Sequence, residues 1–150
     1  MTVEEFWQTF LKETSLPADT VYTESFHFDL DEKSANGLLA LVLCGKKRAT
    51  SSSLYAFSAQ GNPIPKPGDY SIVTDWSGTP RCVIRTQSVT CLPFRDMTFT
   101  ICRREGEDEN LDSWKRSHTH FFTEEGKQLG YSFSEDMPVI FEDFEVVYQK

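Results

Sequence analysis

Apolar residues along this chain recur at helical intervals in three stretches and gather as strands in three others. Phe6, Trp7, Phe10 and Leu11 form a helical stripe, and Thr2 with Glu5 has the spacing of a capping box before it. Ala35, Leu38, Leu39 and Val42 lie on one face of a second helix, predicted from about Glu32 to Cys44. Gly45 follows as its C′ residue, since glycine takes positive φ without steric cost. Leu111, Trp114, His118, Phe121 and Phe122 share one side of a third helix, predicted over Leu111 to Phe122 with Asn110 as its cap. The β-branched runs Tyr70–Asp75 and Arg81–Cys91 read as a hairpin turning at Ser77-Gly78, and Val139–Tyr148 alternates as a final strand. Phe94–Arg103 fits either a loop or a short helix. Pro63, Pro65, Pro67 and Gly68 mark a loop before the hairpin.

The order helix, helix, strands, helix, strand is not the regular βαβ alternation of a doubly wound sheet. It predicts an α+β fold, a mostly antiparallel curved sheet or small barrel with helices packed on its outside. The sequence has no internal repeat, low-complexity tract or long linker, and its 150 residues are read as one domain.

Composition sharpens this in three ways. The longest apolar stretch, Leu38 to Cys44, is far shorter than the roughly 20 residues that span a bilayer. The N-terminus has Thr2, Glu4 and Glu5 where a leader would carry a basic and then an apolar run, so a cytoplasmic location with no membrane partner is expected. Cys44, Cys82, Cys91 and Cys102 form no CxxC pair, and the three histidines do not supply zinc-finger spacing. They are read as buried free thiols, with no metal and no cofactor expected. The net charge of −8 disfavours a long nucleic-acid strand. Its distribution is uneven: nine bases, from Lys46 to Arg104, face only Asp69, Asp75 and Asp96 between residues 44 and 104. That basic middle could meet an anionic or nucleotide-like ligand, and a solvated surface accounts for it equally well.

The sharpest local feature is Gly45-Lys46-Lys47-Arg48-Ala49-Thr50, with spacing G-x-K-x-x-T, where a helix ends and an extended segment begins. It lacks the first glycine and the Lys-Thr adjacency of a P-loop, so it is not an ATP site. Residues three apart on an extended segment point to opposite faces, so Lys47 and Thr50 converge only if the chain bends between them. Without such a bend the segment is a solvated basic turn. The acidic run Arg104-Glu105-Gly106-Glu107-Asp108-Glu109 precedes a helix, where carboxylates ordinarily favour the N-terminus by ~0.3–1 kcal/mol. A role at a site requires one of them to turn inward, which Gly106 permits. His118 is expected in the core, and His27 and His120 at the surface or an edge. Asp75-Trp76 either lines a pocket or makes a hairpin-end cluster.

In succession these segments resemble the ASCH domain family, related to the PUA domains of RNA-modifying proteins. The resemblance rests on Gly45, Lys47 and Thr50, on Lys66-Pro67-Gly68-Asp69 and on Cys82-Val83-Ile84. It continues through Glu105-Gly106-Glu107 with Leu111 and Trp114, His118 with Phe121-Phe122, and Glu135 to Val139. It covers about Asp29 to Tyr148 and implies a single PUA-like β-barrel domain over 1–150, with an N-terminal helical extension at about 1–28. A cleft beside the G-x-K-x-x-T element would suit a nucleobase or nucleoside. Small bacterial members hydrolyse the amide of N4-acetylcytidine with a threonine, a lysine and a glutamate. Carried over by position, Thr50 would be the nucleophile, Lys47 its base and Glu107 the group that orients and polarises them. The spacing from Glu105 to Leu111 follows those enzymes and favours Glu107 over Glu105. Gly45, Arg48, Ser51, Asp75, Trp76, Glu105 and His118 complete the expected ligand-binding set. The chain departs from the small enzymes in its N-terminal helix and its Pro-rich insertion.

Three functions follow from the resemblance: an amidohydrolase of N4-acylated cytidine, a non-catalytic RNA-binding module, and a ribonuclease acting on single-stranded RNA. The last would need a metal, for which the sequence shows no ligand cluster.

Overall fold

The computed structural model describes residues 1–150. Its elements in chain order are α1 (Val3–Glu13), β1 (Glu24–Phe26), α2 (Glu32–Leu43), β2 (Ala49–Ser53), α3 (Leu54–Gln60), β3 (Tyr70–Thr74), β4 (Pro80–Pro93), α4 (Phe99–Cys102), α5 (Leu111–Leu129) and β5 (Pro138–Gln149). The five strands form one sheet in the order β1-β3-β4-β5-β2. Only β1 and β3 run parallel. The long β4–β5 ribbon shifts register between Val83 and Ile84 and again between Thr86 and Ser88. Each irregularity adds local twist, and the sheet curls into a half-barrel. The fold is α+β, as the order of elements predicts.

Alternation along the strands assigns the helices to the two faces. Ile72 and Val83 turn toward α1, whose Phe6, Trp7, Phe10 and Leu11 are buried against them. Fully burying such side chains contributes about 1.5–3 kcal/mol each. Val73, Cys82, Ile84 and Phe144 turn the other way, toward Leu39 and Val42 of α2. At the far end of the sheet Ala49, Val139 and Phe141 pack against Phe94, and against Trp114 and Phe122 of α5. No helix is long and apolar enough to cross a membrane.

The expected helices and strands are present, with adjusted ends and two additions. The acceptor side chains of Thr2, Asp31 and Asn110 cap α1, α2 and α5. Helix α5 runs seven residues beyond the Phe122 expected from its stripe. The Phe94–Arg103 segment resolves into a 3-10 turn, Phe94–Asp96, followed by α4. Strand β1 has three residues and helix α3 seven, both too short to show a period. The expectation of buried thiols needs correction: all four cysteines are free, but only Cys82 and Cys102 are buried, while Cys44 and Cys91 are exposed.

Candidate functional site

Beyond α2 the chain turns sharply. The amides of Lys46 and Lys47 both donate to Leu41 O, at 2.9 and 3.0 Å, and Arg48 N donates to Arg104 O at 3.0 Å. Strand β2 therefore begins only at Ala49. The bend demanded by the G-x-K-x-x-T spacing lies before the strand, and Lys47 and Thr50 line the same cavity, of about 230 Å³.

The partner segment is held against this turn by close approach of backbone. Gly106 has φ +70°, and a Cβ there would sit 2.2 Å from Lys46 O. The 3-10 turn Arg103–Glu105 and this glycine send Glu105 and Glu107 inward, while Asp108 stays outside and accepts from the Ser113 hydroxyl at 2.6 Å. The N-terminus of α5 is capped by Asn110, outside the acidic run, and Asp108 reaches only the Ser113 hydroxyl.

Lys47 is 1% exposed, and its ammonium donates to Ala49 O at 2.8 Å and to Glu107 Oε2 at 2.5 Å. It stands 3.5 Å from Glu105 Oε1 and 5.2 Å from the centre of the Phe28 ring. Glu105 accepts at Oε2 from the Ser51 hydroxyl (2.9 Å) and the Trp114 indole (2.6 Å). Burial pushes its pKa up, but Lys47 and His118 outweigh burial and hold it down at about 2. Glu107 is driven the other way, because burial outweighs the attraction of Lys47 and Glu105 adds like-charge repulsion. His118 stacks on Trp114 with centroids 4.2 Å apart. Its Nδ1 lies 2.9 Å from Trp114 O, and its Nε2 lies 3.5 Å from Glu105 Oε1. Burial lowers its pKa, yet the Glu105 carboxylate more than compensates and the net shift is upward. His118 faces the Glu105 carboxylate, which favours its protonated form.

Of the residues expected at the site, Lys47, Thr50, Ser51, Glu105, Glu107 and His118 line the cavity together. Gly45 and Arg48 do not; they border a shallower depression with Cys44 and Tyr148. Asp75 and Trp76 are also outside the cavity. Asp75 uses its carboxylate on Ser77 and Thr79 within the hairpin turn, at 2.8 and 3.0 Å. Trp76 rests against His27, ring centroids 4.7 Å apart. Sequence reasoning missed Glu24, Phe28, Asp29, Glu125 and Glu142, which also line the cavity; His27, expected at the surface or an edge, is exposed and borders the same space. None has a motif; each arrives through the fold. Glu142, for example, is the cross-strand partner of Thr50.

The sequence shows no metal-ligand cluster, but folding brings ligand atoms of Glu105, Glu107 and His118 within 4.8 Å of one another. The Lys47 ammonium already stands against both carboxylates, where a divalent cation would have to sit. The donor set fits a resident lysine better than a metal.

Glu142 offers a separate test of the local electrostatics. Burial raises its pKa to about 7, helped by Glu24, Asp69 and Asp143, despite the Thr86 hydroxyl bond. A carboxyl raised on folding contributes stability below its unfolded value, and that contribution is lost as pH rises through the folded value. Wild-type stability should therefore decline between about pH 4.5 and 8. Glu142→Gln should remove much of this slope and be more stable at pH 8, by about 1–3 kcal/mol. Urea unfolding at pH 4 and pH 8 reads the effect, and parallel slopes for the two proteins would contradict it.

The curled mixed sheet, with a buried lysine and two carboxylates at its edge, is a PUA-like architecture. The chain belongs to the ASCH domain family, whose sequence model matches residues 24–148. It is similar to the crystal structure of an ASCH domain from Lactobacillus crispatus, with 34% identity, 97% of this chain and 96% of that one covered, and a TM-score of 0.83. It is similar also to the crystal structure of a protein from Enterococcus faecalis, again at 34% identity, with 97% and 87% covered and a TM-score of 0.88. No curated protein matches the chain.

Proposed function

We propose that this protein is an amidohydrolase of N4-acylated cytidine, with Thr50 as nucleophile, Lys47 as base and Glu107 as the proton-holding partner of the lysine. The observation that carries this reading is the 2.5 Å contact of Lys47 with Glu107 at the wall of a cavity that Thr50 also lines. A threonine hydroxyl is a weak nucleophile until a neighbouring base accepts its proton. Lys47 can serve only after giving up a proton of its own, and burial makes Glu107 a ready acceptor. With that proton on Glu107, the neutral amine swings from Ala49 O to the Thr50 hydroxyl. Thr50 Oγ1 then attacks the acyl carbonyl while Lys47 takes its proton. Collapse of the tetrahedral adduct breaks the C–N bond, and the departing cytidine nitrogen receives the proton from Lys47. Water attacks the resulting ester by the same route, releasing the carboxylic acid and restoring Thr50. Glu105, bound by Ser51, Trp114 and His118, fixes the position of the lysine in this scheme.

The alternative is a nucleic-acid-binding PUA-like module without catalysis, which the family also fits. It would draw on Lys46, Arg48 and Arg103, which are exposed and do not line the cavity. Acetate release from N4-acetylcytidine separates the readings. Wild type should release acetate, and Thr50→Val, which removes only a hydroxyl with few structural duties, should be slower by about 10²–10⁴-fold. Retention of single-stranded RNA without any product, weakening as salt rises, would replace hydrolysis by binding. RNA cleavage by a purified, metal-supplemented sample would favour the ribonuclease.

A further inference from the structure

The charge of the cavity extends well past its reactive residues. Lys47 is the only lysine or arginine lining it, and its ammonium is engaged by Glu105 and Glu107. Four more carboxylates face the same space: Glu24, Asp29, Glu125 and Glu142. None of the four forms an ion pair. Asp29 and Glu125 are occupied by local hydrogen bonds, from Leu30 N at 2.7 Å and the Tyr131 hydroxyl at 2.8 Å. Glu142 is different. Its Oε2 accepts from Thr86 at 2.6 Å, while Oε1 has no protein partner. It lies directly opposite Thr50 across the β2–β5 ladder, so both side chains project from the same face of the sheet. Glu24, on the short strand β1, borders the same cavity and raises the pKa of Glu142, as a nearby like charge must.

A phosphate would bring roughly −1.5 to −2 charges at neutral pH into a space where four carboxyl groups have no lysine or arginine partner. A neutral base meets the opposite situation. Carboxylate oxygen accepts the exocyclic N–H of cytosine, and a carboxyl that is partly protonated can also donate to the adjacent ring nitrogen. The volume of about 230 Å³ is below the ~300–1,000 Å³ of sites for drug-sized ligands, and so suits a single base or nucleoside.

Building on the nucleoside reading, we infer that Glu142, assisted by Glu24, reads the hydrogen-bonding edge of an unphosphorylated base beside Thr50, and that the cavity rejects nucleotides and strands. Glu142 is in this role a specificity-determining residue, set opposite the nucleophile by strand register.

The test compares cytidine with cytidine 5′-monophosphate by following the backbone amides of Thr50, Ser51 and His118 in NMR titrations, at one ionic strength. In wild type, cytidine should shift these amides with saturation, and the monophosphate should bind at least tenfold more weakly. Glu24→Gln/Glu142→Gln removes both charges while preserving shape, and should narrow that difference to less than threefold while weakening cytidine itself. Equal binding of nucleoside and monophosphate to wild type would overturn the inference. So would titrations in which neither ligand shifts the cavity amides, or an unaltered preference in the double variant. If the nucleoside preference holds but N4-acetylcytidine releases no acetate, hydrolysis fails and the inference about the ligand stands.

Discussion

Lys47→Met should lower the stability of the fold by about 3–5 kcal/mol and abolish the proposed amide hydrolysis. The side chain is as buried as any core residue, but it carries the charge that balances Glu105 and Glu107. Methionine refills most of the volume, so lost packing contributes little. What remains is a carboxylate, Glu105, buried at 1% exposure and facing only the His118 ring in place of the lysine, and an Ala49 carbonyl without the Lys47 donor. Removing one partner of a buried pair costs far more than the pair contributes, since the survivor keeps its desolvation penalty. Urea unfolding at pH 7 measures the loss, and a change below 1 kcal/mol would show that these charges are solvated in practice. Lys47→Met/Glu107→Gln should regain part of the stability but none of the activity, which separates the structural duty of the lysine from its chemical one.

Gly106→Ala should be nearly as damaging, although it adds one methyl group. Two costs coincide. The residue sits at φ +70°, where an L side chain is strained by about 1–2 kcal/mol. Its Cβ would also meet Lys46 O at 2.2 Å and Lys46 C at 2.8 Å, and both are backbone atoms that cannot rotate away. The turn at Lys46–Arg48 and the segment Arg104–Glu107 must then separate, stretching the Arg48 N to Arg104 O bond and the Lys47–Glu107 contact together. A total loss of about 3 kcal/mol, with a matching fall in hydrolysis, is expected from strain and overpacking combined. Ala substituted at Gly45, also at positive φ but with open space around its Cβ, should cost only the strain. Equal stabilities for the two variants would mean that the contact at Gly106 is relieved without consequence.

Much of the fold is written in local pattern. The stripe Phe6, Trp7, Phe10 and Leu11 needs only a 3.6-residue period and a threonine cap to announce a helix, and each of its residues is buried against the sheet. Asp75 to Thr79 is legible because the turn is closed by its own residues. Reading fails where the reason for a residue lies elsewhere in the chain. Gly126 lies inside α5, and glycine is required there because the Tyr131 carbonyl of the returning chain passes 2.3 Å from where a Cβ would be. Asp75-Trp76 offers an aromatic face and a carboxylate side by side, but their chemistry is consumed by the turn and by His27.

The same division holds for the site. Thr50, Lys47 and Glu107 could be named from the spacing of two short motifs and their resemblance to a family, because each motif is local. That both glutamates turn inward, that Glu105 is locked by Ser51 and Trp114, and that Glu24 and Glu142 line the same cavity as Thr50 are matters of long-range contact. Glu142 is 92 residues from Thr50 in the chain, and strand register alone sets it opposite. Periodicity and capping are written between neighbours and can be read one segment at a time. The charge of a cavity is the sum over side chains from distant segments, and it exists only once the sheet has curled and closed them around one space.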